Sequence, residues 1–132
     1  DTVGTAGTLM GIAKALKKAK SNCKVIAVEP SSSPILSKGI RGSHNVEGVG
    51  LGFVPNIYDE KLVDNVISID ETLARKICKD LAKKEGIFCG TSSGMNVAAA
   101  IQISKELGPK SKVVTVACDT GLKYLSEGLF DD

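Results

Sequence analysis

Gly4-Thr5-Ala6-Gly7-Thr8 runs straight into a segment in which Leu9, Ile12, Ala13 and Leu16 recur at i, i+3, i+4 and i+7, the apolar stripe of an amphipathic helix. A glycine-rich turn that opens a helix constrains a fold closely. Something extended has to precede it, and the helix start presents free backbone N–H groups at the positive end of the dipole. Its two glycines let the backbone approach an anion, and its two threonines offer hydroxyl donors. The stretch is a candidate phosphate cradle; taken alone, it reads sooner as an ordinary strand-to-helix turn. Lys14, Lys17, Lys18 and Lys20 fall on the far side and last turn of the helix, where cations suit the dipole.

Strands and helices alternate along the rest of the chain. Lys24 to Glu29 is a β-rich run closed by Pro30, and a short helical turn is expected over 33–37. Gly39 to Phe53 is a long irregular segment, of the kind that is usually functional or mobile. Leu62 to Ile69 reads as a strand, after which Ser68 or Asp70 caps a helix with Leu73, Ile77 and Leu81 as its buried stripe, Ala74, Cys78 and Ala82 beside it, and Gly86 as its stop. Ile87 to Cys89 is a short strand, and Thr91 to Gly94 lead into a helix with Val97, Ala98 and Ile101 inward. Lys112 to Cys118 is nearly all apolar and reads as a strand buried on both faces, followed by a turn at Asp119 to Gly121. This order implies an α/β fold, a three-layer αβα arrangement around a mostly parallel, twisted, Rossmann-like sheet. Residues 1–132 have the size of one domain. Only Asp1, Thr2 and Val3 precede Gly4, fewer than the roughly five or six residues of a typical strand. The expectation is therefore a chain that begins inside a strand of a longer protein.

Composition excludes several classes of function. The net charge is +2 with basic residues dispersed, and two Tyr, three Phe and no Trp offer no stacking platform, so nucleic acid is not an expected partner. No apolar run is long enough for a membrane span. Cys23, Cys78, Cys89 and Cys118 are widely spaced without a C-x-x-C pair or a nearby His, which argues against a metal site. Three of them sit in apolar surroundings typical of buried reduced thiols, and a cytoplasmic location is the expectation. Asp131 and Asp132 read as a polar tail.

Four turns follow expected strands or border them: Gly4 to Thr8, Gly48 to Gly52, Thr91 to Gly94, and Asp119 to Gly121. In open α/β sheets ligands bind outside the carboxyl ends of the strands, so together these turns point to a small-molecule crevice. The glycines Gly4, Gly7 and Gly11 are spaced G-x-x-G-x-x-x-G rather than G-x-G-x-x-G, while Glu29 ends a strand where a ribose-binding acid would stand. A nucleotide- or dinucleotide-binding domain without catalysis stays open on that basis; the plainer reading of Glu29 is a solvated strand-end carboxylate. His44, the sole histidine, lies in the long loop and reads as surface polar, with no nucleophile placed beside it.

Several of these segments together resemble one family. Gly4 to Thr8 resembles the G-T-G-G-T phosphate loop of fold-type II pyridoxal-phosphate enzymes, in the cysteine synthase (O-acetylserine sulfhydrylase) and cystathionine β-synthase group. Val25 to Pro30, Ser33 to Ser37, Glu47 to Pro55, Glu85 to Ile87, Ser92 to Gly94 and Tyr124 to Ser126 are similar to further family motifs in the same order. The resemblance implies that the chain is the C-terminal part of such an enzyme, most of its larger domain. It also implies β-elimination and replacement on O-acetylserine or serine, with sulfide or a thiol as nucleophile. Pyridoxal 5'-phosphate would be held by Gly4, Thr5, Ala6, Gly7 and Thr8 through its phosphate, and by the Thr120 hydroxyl at its pyridine nitrogen. A neutral hydroxyl there leaves that nitrogen unprotonated. Gly48, Val49 and Gly50 would border the substrate, and Ser92-Ser93 would cap a helix beside the site. Ala6 replaces a glycine of the usual pattern, which is tolerable only if its φ stays negative. The family's Schiff-base lysine has no counterpart here: Lys38, Lys105 and Lys112 follow serines but stand in no matching motif. The implied partners are an amino-acid substrate, the missing N-terminal half and a second copy in a homodimer. A serine or threonine dehydratase is the alternative lyase.

Overall fold

Residues 1–131 are described by the computed structural model and divide into two units, Asp1–Ser68 and the stretch from Ile69 onward. Asp132, the second residue of the expected polar tail, lies outside the described residues.

The first unit is built on α1 (Gly7–Lys18), β1 (Ile26–Pro30), the single turn α2 (Ile35–Lys38) and β2 (Asn65–Ile69), which reaches into the start of the second unit. The periodic stripe does form a helix: Leu9, Met10 and Ala13 of α1 are buried, and Lys17 and Lys18 occupy its last turn. These side chains share a core with Val3, Ala6, Val25 and Ala27. β1 and β2 are sheet neighbours, and Thr2 makes a parallel bridge to Val28. The Val3 N–H donates to the Val28 carbonyl at 3.1 Å, and the Val28 N–H to the Asp1 carbonyl at 2.9 Å. The residues before the glycine-rich turn are thus extended and paired with β1, as the turn requires.

The second unit consists of α3 (Glu71–Asp80), a π-type turn over Leu81–Glu85, α4 (Thr91–Leu107) and a 3₁₀ segment over Gly121–Glu127. Asp70 caps α3, its carboxylate accepting the Thr72 and Leu73 N–H groups at 2.9 and 3.3 Å. Gly86 ends the π-type turn at φ 68°, in the left-handed region expected of a stop glycine. α3 buries Ala74 and Cys78, not the expected Leu73, which is exposed. The reason is the neighbouring helix. A Cβ on Gly94 of α4 would lie 2.2 Å from the Ala74 carbonyl oxygen and 2.6 Å from the Cys78 sulfur, so the two backbones meet on their small-residue faces.

The α/β class with parallel pairing holds, but two expected strands do not form. Ile87 to Cys89 contributes a single antiparallel bridge, Cys89 to Thr120, and Ile87 and Phe88 are exposed. Lys112 to Cys118 is irregular, and Val114 is 90% exposed rather than buried on both faces. A strand needs a ladder partner, whereas two backbone groups of this run pair with side chains of α4. Asn96 Nδ2 donates to the Val116 carbonyl at 2.9 Å, and the Cys118 N–H donates to Ser93 Oγ at 2.8 Å. Likewise Ser92 and Ser93 do not cap α4. Gly90 is the N-cap, and both serines are buried within the first turns. Of the residues expected inward on α4, Ala98 is buried and Ile101 exposed.

Candidate functional site

α1 begins without a side-chain cap and without an acidic residue in its first turn. The first four N–H groups of a helix have no intrahelical partner, so an uncapped start leaves donors for a ligand. The Met10 N–H donates to the Ala6 carbonyl at 2.9 Å, and the Gly7 N–H makes a long contact of 3.4 Å to Thr5 Oγ1. Thr5, Gly7 and Thr8 are exposed, Gly4 is half-buried and Ala6 is buried.

Ala6 holds the turn in shape at φ 69° and ψ 6°. This corrects the expectation of a negative φ. The left-handed conformation falls at the last of the four residues, Val3 to Ala6, that carry the chain from the bridge with β1 into α1, and alanine bears the strain that a glycine would avoid. A left-handed residue immediately before helical ones aims successive N–H groups into one concavity, an anion-binding shape.

The structure brings the second expected stretch against this turn. A Cβ on Gly4 would fall 2.0 Å from the Gly48 carbonyl oxygen, so only glycine permits that approach. The Gly50 N–H donates to the Val3 carbonyl at 3.0 Å, and Val49 is buried. Gly48 and Gly50 have φ of 74° and 57°, conformations that glycine adopts freely.

His44, for which the sequence suggests no role, pins this loop. Its Nε2 donates to the Gly50 carbonyl at 2.8 Å, while its Nδ1 accepts the Val46 N–H at 3.2 Å. The only sequence signal is a histidine within six residues of a glycine cluster, and such proximity does not specify a partner.

Glu29 is not a solvated strand-end carboxylate. It is 1% exposed and accepts the Leu36 N–H at 2.7 Å, the Ser37 N–H at 3.2 Å, the Ser68 hydroxyl at 3.2 Å and the Ser37 hydroxyl. Those four donors occupy the oxygens that a ribose would need, so the carboxylate organises the start of α2.

Thr120 belongs to the second unit and precedes the 3₁₀ segment. Its Oγ1 accepts the Leu122 N–H at 3.4 Å, which leaves the hydroxyl proton to donate elsewhere, and the residue is exposed. Next to it, Asp119 Oδ2 accepts the Tyr124 hydroxyl at 2.8 Å, and Lys123 lies 3.6 Å from the same oxygen. Among the described residues no group of His, Cys, Asp and Glu side chains could hold a metal ion, and no helix is long and apolar enough to cross a membrane.

Comparisons with known proteins bear on this geometry. Residues 2–119 match the family described as pyridoxal-phosphate dependent enzyme. A cysteine synthase of Staphylococcus aureus is 45% identical over 132 residues, spanning 98% of this chain and 43% of that protein. The crystal structure of a cysteine synthase from Entamoeba histolytica superposes with a TM-score of 0.93 at 36% identity, over 99% of this chain and 39% of that one. A hydrogen sulfide-producing enzyme from Fusobacterium nucleatum superposes at 0.91 with 40% identity, over 99% and 39% of the two chains. The chain thus spans about two fifths of the length of these relatives. It belongs to the family of pyridoxal-phosphate dependent enzymes.

Proposed function

We propose that this chain is the cofactor-phosphate-holding part of a cysteine synthase that carries out β-elimination and replacement on O-acetylserine or serine, with sulfide or a thiol as nucleophile. The observation that supports it best is the uncapped, carboxylate-free start of α1, shaped by left-handed Ala6 and flanked by the exposed Thr5 and Thr8. Backbone amides from Gly4 to Thr8 and the two hydroxyls would take the phosphate of pyridoxal 5'-phosphate. The cofactor, when bound, supplies the electron sink for chemistry at the substrate β-carbon.

The chain's own residues then have distinct tasks. Thr120 would hold the pyridine nitrogen with a hydrogen bond from its hydroxyl; a neutral hydroxyl would leave that nitrogen unprotonated, which suits elimination and replacement. Gly48, Val49 and Gly50 border the substrate, and the His44 hydrogen bond to the Gly50 carbonyl keeps that loop in place. No lysine here stands in the family's Schiff-base motif, so the chain alone does not turn over. Its partners are an amino-acid substrate, the part of the enzyme that carries the lysine, and a second copy in a homodimer working in the cytoplasm. No observation favours the dinucleotide reading, since Glu29 is fully engaged by its own unit.

Calorimetry with the 132-residue chain tests the proposal by comparing pyridoxal phosphate with pyridoxal. The phosphate ester should bind, and pyridoxal should bind at least an order of magnitude more weakly. Gly7→Asp places a carboxylate beside the phosphate and should weaken binding by roughly tenfold. Equal affinity for the two compounds, or no effect of Gly7→Asp, sinks the phosphate assignment. A stoichiometric borohydride-trapped lysine adduct that supports turnover would overturn the absence of the catalytic lysine.

A further inference from the structure

The second unit carries a cluster of thiols that the cofactor site does not use. Cys78 and Cys89 are buried and Cys118 is exposed, and all three are reduced. The exposure of Cys118 departs from the buried, apolar setting that its sequence neighbours suggest. The antiparallel bridge from Cys89 to Thr120 brings the chain at Cys118, two residues earlier, close enough to Cys89 for the two thiols to act on each other electrostatically. Ser93 ties the two together. Its Oγ accepts the Cys118 N–H at 2.8 Å, and its hydroxyl also hydrogen-bonds the Cys89 thiol. The Cys118 sulfur accepts an N–H of Asn96 at 3.3 Å, which orients it from α4. On the other side of Cys89 lies Cys78, whose sulfur is 3.1 Å from the Gly90 carbonyl and within hydrogen-bonding reach of the Cys89 thiol.

We propose that Cys118 and Cys89 form a peroxide-responsive site, in which the exposed Cys118 is oxidised first and Cys89 converts it to a Cys89–Cys118 disulfide. In the first step the peroxide O–O bond breaks as one oxygen bonds to the Cys118 sulfur. The other oxygen takes the thiol proton and leaves as water. In the second step the Cys89 sulfur attacks the Cys118 sulfur, an S–S bond forms and the S–O bond breaks. The departing hydroxide takes the Cys89 proton and leaves as a second water. Two thiols have then lost two electrons and the peroxide has been reduced; a dithiol reverses the change.

The geometry assigns the roles. Only Cys118 of the three is open to solvent, so it meets the oxidant. A disulfide needs the two Cα atoms within about 6.8 Å of each other. The closing movement falls to the run 112–118, which is held by no ladder but only by the Asn96 and Ser93 side chains of α4. Cys78 is excluded as the resolving group: burial, then the neighbouring Cys89, push its thiol up to about 12, so it stays protonated. Burial raises the Cys89 thiol too, and Asp119 and Cys118 add to that while the Ser93 hydroxyl and the Cys78 thiol pull against it. Cys89 is the attacking sulfur because Ser93 ties it to the Cys118 backbone.

The test exposes the full reduced chain to graded hydrogen peroxide, with and without dimedone, and maps tryptic peptides by mass spectrometry without reduction. Cys78, Cys89 and Cys118 fall in three separate peptides. The expected result is one intramolecular link joining the Cys89 and Cys118 peptides, with dimedone diverting the reaction to an adduct on Cys118. Exposed Cys23 should form an adduct without any intramolecular link. Cys118→Ser should leave Cys89 reduced at the same dose, and Ser93→Ala should slow closure by roughly tenfold. A link between Cys78 and Cys89, or oxidation of Cys118 to sulfinic acid while Cys89 stays reduced, would overturn the proposal. The dimedone map on the unsubstituted chain separates these outcomes even if a variant misfolds.

Discussion

At single residues, backbone strain and buried charge produce opposite effects on substitution. Ala6 sits at φ 69°, where an L-residue with a Cβ pays about 1–2 kcal/mol that glycine escapes. Glycine in turn costs about 0.4–1 kcal/mol through the freer unfolded chain. Ala6→Gly should therefore stabilise the chain by about 0.5 kcal/mol, read as a rise in the urea midpoint at unchanged slope. Ala6→Val should destabilise it, because a β-branched side chain resists a positive φ. Glu29 presents the other case. Its two oxygens face donors only, so Glu29→Gln turns an amide N–H₂ toward groups that themselves donate. A loss of about 2 kcal/mol is expected from the missing charge-assisted bonds and the orphaned donors. If the carboxylate were a solvated strand end, the same substitution would stay within about 0.5 kcal/mol.

Among elements, the determining feature is the crossing of α3 and α4 at Gly94. A methyl group there would press on the Ala74 carbonyl oxygen at 2.2 Å, a backbone atom that cannot rotate away. Alanine gains about 1 kcal/mol in helix propensity over glycine, but forcing the helices apart costs about 1–3 kcal/mol and exposes Cys78. Gly94→Ala should accordingly lower stability, whereas the same change at Gly11 of α1, where a Cβ meets nothing within 4 Å, should raise it. Paired urea melts decide between these signs. The same crossing explains what periodicity can and cannot disclose. The α1 stripe is legible because its large side chains face one core. In α3, periodicity points to Leu73 with Ala74 and Cys78 beside it, and the partner helix selects the small residues as the ones that are buried. The run 112–118 looks like the surest strand because apolar content signals burial; pairing is a relation to another segment, and α4 side chains take its backbone groups instead. The turn from Gly4 to Thr8 is legible from its residues as a glycine-rich helix start, while His44 and Glu29 gain their partners only through the fold.

For the whole molecule, the two units differ in what they bury, and that difference makes them respond differently to pH. The first unit's core is aliphatic and its one cysteine, Cys23, is exposed. The second buries Cys78 with Tyr124 and Leu129. Burial disfavours the thiolate and raises the Cys78 thiol to about 12, against about 8.5 for an unfolded thiol. Above pH ~9 the unfolded thiol gives up its proton while the folded one keeps it, so the native state binds more protons and stability falls as pH rises. Each such thiol steepens the loss by up to about 1.4 kcal/mol per pH unit, and Cys89, raised in the same direction by burial, adds to it. In the first unit the corresponding group is Tyr58, raised from about 10 by burial and then by Glu29 and Glu60, so its effect begins only above that pH. Between pH ~9 and ~10 the second unit should therefore loosen while the first holds. Limited proteolysis across that interval, with cleavage sites assigned by mass spectrometry, should show new cuts in α3 and α4 before any in α1. Cys78→Ala should lower stability at pH ~7 by leaving a small cavity, yet flatten the alkaline loss, because the group that releases the proton on unfolding is gone. If α1 is cut first, or if Cys78→Ala leaves the alkaline slope unchanged, the buried thiol does not set the pH response.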